Sequence, residues 1–77
     1  MALIRRFELG SSERISLHNE VKATYECSTL HGQRLVTIKT FGNPDRQMPT
    51  IPSQTIQLDH QGAEALVHIL RKTFALS

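Results

Sequence analysis

Two alternating segments on either side of His31-Gly32 constrain this chain more than any other feature of its sequence. From Glu20 to Ser28, Val21, Ala23, Tyr25 and Cys27 alternate with Glu20, Lys22, Thr24, Glu26 and Ser28, which is the period of a half-buried strand. Gly32 can take a positive φ at little cost, and the β-branched run from Leu35 to Phe41 then returns antiparallel. With His31 and Gly32 as the two turn residues, facing positions sum to 63. Cys27 then faces Val36, Tyr25 faces Ile38 and Ala23 faces Thr40, and these make an apolar face. The other face pairs Ser28 with Leu35, Glu26 with Thr37, Thr24 with Lys39 and Lys22 with Phe41. One more residue in the turn would put one strand's apolar set on the wrong side, so the agreement of both sets is the argument for this register.

The hairpin needs further layers. Leu3, Phe7 and Leu9 alternate with Ile4, Arg6 and Glu8 and stop at Gly10, the pattern of an edge strand; Ser11 to Asn19 reads as a polar connector. Gly42 to Pro52 holds all three prolines and reads as a loop with a turn at Asn43-Pro44-Asp45-Arg46. A short strand follows from Ser53 to Leu58, with Ile56 and Leu58 inward. Asp59 is placed to cap a helix running from about His60 to Phe74, because its carboxylate can accept from the free amides of the first turn. Gly62 sits badly near that helix start, by roughly 1 kcal/mol against Ala, and no local signal accounts for it. Ala63, Leu66, Val67, Leu70 and Phe74 form one apolar stripe, wide enough to cover a small sheet. The expectation is a single α+β domain over residues 1–77: a small antiparallel four-stranded sheet, in the order β-β-β-β-α, with the C-terminal helix packed on one face.

Seventy-seven residues make one small core, and chains of this size usually add a disulfide, a metal or a partner subunit. Cys27 is the only cysteine, so no internal disulfide forms. His18, His31, His60 and His68 are scattered without zinc-ligand spacing, so no metal and no other cofactor is expected. Self-association remains. Ala65, Ile69 and Leu76 lie nearly opposite the first helical stripe; they are either scattered surface or the interface of a homodimer, and the undersized core favours the dimer. The start MALIRRFELG has no apolar signal core, nothing approaches the ~18 apolar residues of a membrane span, and a lone cysteine suits the cytoplasm. No nucleophile, base and orienting group share an element or turn, which points to a binding module and away from an enzyme. The net charge of +2 comes from the first half, where Arg5, Arg6, Arg14, Lys22, Arg34 and Lys39 outnumber four acidic residues. This balance suits a polyanion without demanding one.

The stretch TLHGQRLVTIKTFGNPDRQMPTIPSQTIQLDHQGAEALVHIL, residues 29–70, resembles the DNA-binding domain of transcriptional positive cofactor four. The features shared are a Gly-containing hairpin, an alternating strand ending in a basic residue and then a ring (Lys39, Phe41), an Asn-Pro-Asp loop, an I-x-L strand end (Ile56, Leu58) and a helix begun directly after it. A closer resemblance, in Gly42–Arg46 and Ser53–Asp59, is to short bacterial proteins of no assigned activity. The first resemblance implies a β-β-β-β-α module that dimerises and binds single-stranded DNA on the sheet face away from the helix. The residues it would use here are Lys22, Lys39 and Phe41 on the outer hairpin face, Arg34 near the hairpin tip and Arg46 in the loop. Around the turn, the family's basic and aromatic residues are replaced by Leu30, His31 and Gln33, and its loop aromatic by Gly42. Each candidate also has a plainer reading: Lys22 and Lys39 as a solvated strand face partly cancelled by Glu26, Phe41 as a ring packed under the next loop, Arg46 as a turn residue or a partner of Asp45. Two functions stay open: a sequence-independent binder of single-stranded DNA or RNA, or a protein-interaction module that binds no nucleic acid.

Overall fold

The computed structural model describes residues 1–42 and 51–77. Its strands are β1 (Ala2–Ile4), β2 (Lys22–Leu30), β3 (Gln33–Phe41) and β4 (Gln54–Leu58), followed by helix α1 (His60–Phe74). They form one sheet in the order β1-β4-β3-β2. The β2–β3 hairpin has the expected register throughout, from Lys22 opposite Phe41 to Leu30 opposite Gln33. At its tip both His31 (φ 52°) and Gly32 (φ 77°) are left-handed, as a two-residue turn matched to the twist of the strands requires. β4 runs antiparallel to β3, and just before β4 the Ser53 amide donates to the Thr40 carbonyl at 2.8 Å. The two hydroxyls, Thr40 Oγ1 and Ser53 Oγ, also meet at 2.9 Å, so the two strands are clasped at this end.

β1 departs from the expectation. It is three residues long, without Phe7 or Leu9, and it lies parallel to β4, so the sheet is mixed and mostly antiparallel. The reason lies at the helix start. Parallel pairing brings the ends of β1 and β4 to the same edge, where Arg5 Nε donates to Asp59 Oδ2 at 2.8 Å and the Ile4 carbonyl comes up against Gly62. A Cβ on Gly62 would collide with that carbonyl oxygen and stand 3.3 Å from the Arg5 Cα. The glycine for which the sequence offers no local reason is therefore the gap through which the chain passes the helix.

The pairing places Ile4, Leu58, Val36 and Cys27 in one row across the sheet, with Ala2, Ile56, Ile38 and Tyr25 in the next. Helix α1 packs on this face by its first turns: Ala63 shares a groove of about 200 Å³ with Cys27, Val36 and Leu58. Asp59 is the N-cap, with Oδ1 accepting from the Gly62 amide at 2.9 Å. At the other end Ala75 closes the helix in a left-handed conformation, with Arg71 and Lys72 in the last turn, where cations complement the helix dipole. Coverage is thin. Leu58, 7% exposed, is the only buried apolar side chain among the described residues, and β2 is exposed along its whole length.

The seventeen residues between β1 and β2 cross from one edge of the sheet to the other. Phe7 is half-buried, and Phe7–Gly10 line a groove of about 710 Å³ together with His68, Ile69, Lys72 and Thr73. Ile69, whose spacing suggests a dimer interface with Ala65 and Leu76, thus faces a segment of its own chain. Ala65 is half-buried one turn earlier, and the left-handed Ala75 takes Leu76 out of the helical period. The three do not form one stripe.

Candidate nucleic-acid interface

The sheet face away from α1 carries Lys22, Thr24, Glu26, Ser28 and Leu30 from β2 and Gln33, Leu35, Thr37, Lys39 and Phe41 from β3, with Thr55 and Gln57 from β4. Strand pairing alone puts them there. Three of the candidate residues meet at one end of this face. Lys22 and Phe41 are directly opposite, and the Lys22 ammonium stands 4.9 Å from the centroid of the Phe41 ring, a cation–π contact. Lys39, two residues back along β3, pairs diagonally with Glu26, Nζ to Oε2 3.0 Å. Thr37 is buried in the middle of the face, between Glu26 and Gln57.

Each of these three side chains is already engaged within the chain. Phe41 is half-buried with one face under Lys22, so it is neither a fully open stacking platform nor a core residue. Glu26 offsets one of the two lysine charges, and its carboxylate is exposed enough to let Lys39 go when a competing anion arrives. What is left is a small, net-positive polar face with a ring at one end and hydroxyls and amides beside it.

Arg34 is not part of it. Its partner across the hairpin is Thr29, and its parity is that of Val36 and Ile38, so it lies on the helix side, lining shallow grooves with Asp59 and His60. The same register that places Lys39 outward places Arg34 inward, a consequence that was legible in the sequence. Arg46 lies outside the described residues.

The other polar constellation is at the helix start. The Gly62 amide, and with it the Arg5 guanidinium, hold the Asp59 carboxyl below the ordinary carboxylate range, against burial, which acts the other way. His60 Nδ1 approaches Glu64 Oε1 at 2.9 Å on the exposed side of the same turn. Asp59 is taken up as a cap and an ion-pair partner. Among the described residues no three His, Cys, Asp or Glu side chains converge, and no helix is long and apolar enough to cross a membrane. Comparison with protein-family models, curated proteins and solved structures finds no match for this chain.

Proposed function

We propose that this protein is a homodimer that binds single-stranded nucleic acid without sequence preference, through the sheet face away from its helix. The observation that carries the reading is the convergence of Lys22, Phe41 and Lys39 on one end of that face. Lysines there neutralise phosphates, and a ring beside them stacks on an unpaired base for roughly 1–3 kcal/mol. Both contacts are nearly base-blind, so the expected ligand is any flexible single strand, as an accessory to transcription or DNA processing. Duplex offers Phe41 no free base and retains the charge contacts alone.

Fluorescence anisotropy with an oligonucleotide of about 20 nucleotides, long enough to reach over two subunits, tests this. Binding is expected at low salt and falls steeply as salt rises. Lys39→Ala makes the salt dependence shallower by about one ion for each phosphate it no longer neutralises, whereas Phe41→Ala weakens binding at every salt concentration and leaves the slope alone. No binding at low salt and tens of micromolar protein refutes the reading. A second reading, a protein-interaction module without nucleic-acid binding, is favoured by the charge that Glu26 contributes to the same face and by the apolar surface left open on the helix side.

A further inference from the structure

We infer that Glu26 regulates the outer sheet face as a built-in competitor: its carboxylate holds Lys39 until a strand brings a phosphate beside Lys22 and draws the ammonium away. The inference rests on the nucleic-acid reading above and adds to it the residue that sets how tightly the site binds. The two lysines of the face are not equivalent. Lys22 has its ammonium 4.9 Å from the centroid of the Phe41 ring and, among the described residues, no carboxylate partner. Lys39 Nζ stands 3.0 Å from Glu26 Oε2, with its side chain 32% exposed. A ring leaves the charge of the cation above it in place, whereas a carboxylate cancels it. Of the two, only Lys22 meets an incoming phosphate with its charge uncompensated.

The register gives Lys39 two positions. Its cross-strand partner is Thr24, which lies midway between Lys22 and Glu26 on β2. At about 3.4 Å per residue, the α-carbons of Lys22 and Glu26 stand about 7 Å along the strand on either side of that partner. An extended lysine side chain reaches one of them and not both. Turned one way, Lys39 makes the observed ion pair with Glu26. Turned the other way, its ammonium comes beside Lys22 and the Phe41 ring, where two cations hold one phosphate next to a stacked base. That second position leaves the exposed Glu26 carboxylate unpaired, within about one Debye length (roughly 10 Å at 0.1 M salt) of the bound phosphate. Binding therefore exchanges one anion for another at Lys39, and the affinity comes from what a strand offers beyond the carboxylate: its other phosphates and a base on Phe41.

Anisotropy titrations of the parent, Glu26→Gln, Lys39→Ala and the double variant, with one single-stranded oligonucleotide of about 20 nucleotides, form a cycle that tests the inference. Glu26→Gln removes the charge and keeps the size of an exposed side chain, and far-ultraviolet circular dichroism checks that all four proteins fold alike. At low salt it should tighten binding about two- to fivefold, the worth of an exposed ion pair that no longer has to be broken. It should also steepen the salt dependence by up to about 0.7 of an ion, one phosphate contact on a single strand. In the Lys39→Ala background the gain should largely vanish, because no ammonium remains to be released. An equal gain in both backgrounds makes Glu26 a simple repulsive charge and overturns its role as competitor for Lys39. A Glu26→Gln protein that binds no tighter than the parent overturns it too, and either result leaves the nucleic-acid reading standing. Absence of binding by the parent and by Glu26→Gln alike, at low salt and tens of micromolar protein, overturns both.

Discussion

Replacing Gly62 by alanine sets two effects of opposite sign against each other at one position. In an unobstructed helix the change stabilises by about 1 kcal/mol, because alanine has less backbone freedom to lose. Here the new methyl meets the Ile4 carbonyl oxygen and carbon, with the Arg5 Cα at 3.3 Å. These are backbone atoms that cannot swing aside as a side chain would. Either β1 withdraws from the helix, loosening the Arg5–Asp59 contact and the half-buried Ile4, or the helix lifts from Leu58. Overpacking against fixed structure costs about 1–3 kcal/mol, and the upper part of that range applies when the obstacle is main chain. The net expectation is destabilisation by about 1–2 kcal/mol, a fall in Tm of roughly 5–15 °C for a domain of this size. Thermal unfolding followed by far-ultraviolet circular dichroism, at one protein concentration for both variants, gives the answer. A Gly62→Ala protein as stable as the parent or more so would show that Ile4 does not pass close to the helix, and the parallel placement of β1 would fall with it.

Gly32→Val should destabilise by more than about 1 kcal/mol in urea titration, since a β-branched residue resists the φ of 77° held there. His31→Asn, at the neighbouring left-handed position, should stabilise by a few tenths of a kcal/mol or more, giving the Asn-Gly pair such turns prefer. Ala75→Gly should raise stability by about 0.5–1 kcal/mol in the same titration, because the helix ends there at φ 53°. Asp59 has a lowered pKa in the folded chain, so its contribution is full above its unfolded value of 3.8 and falls away as pH drops through the folded one. Asp59→Asn should therefore flatten the acid limb of a stability-against-pH curve, and an unchanged limb would remove Arg5 and the cap as its cause.

The hairpin was legible because two local patterns had to agree: a turn that needs positive φ and two alternations that share a face. Nothing distant competes with them, and every pair from Lys22–Phe41 to Leu30–Gln33 follows. The helix was legible for the same reason, with Asp59 at its head. The position of β1 was not, because its partner is more than about fifty residues away and short strands pair where packing allows. Gly62 carried the signal, but a glycine reveals a close approach without saying what approaches. The surroundings of Ile69 were hidden because the chain after β1 has the look of a strand and then a polar spacer, although Phe7 is there to run alongside the helix. Of the candidate interface, Lys22, Lys39 and Phe41 followed from the register, and so did Arg34's place on the helix side; the diagonal between Lys39 and Glu26 needed side-chain geometry.

The pairing of the first strand with the last also sets an order of assembly. The β2–β3 hairpin closes across two residues and can form within microseconds of both strands being present. β1 has nothing to pair with until β4 exists, so β1 is expected to dock after the hairpin has formed and β4 has joined it. The contact of Arg5 with Asp59 spans 54 positions of sequence and is expected to close with β1, once the helix has its first turn. Substitutions in β1 should therefore speed unfolding and leave the folding rate nearly unchanged, whereas substitutions in the hairpin should slow folding.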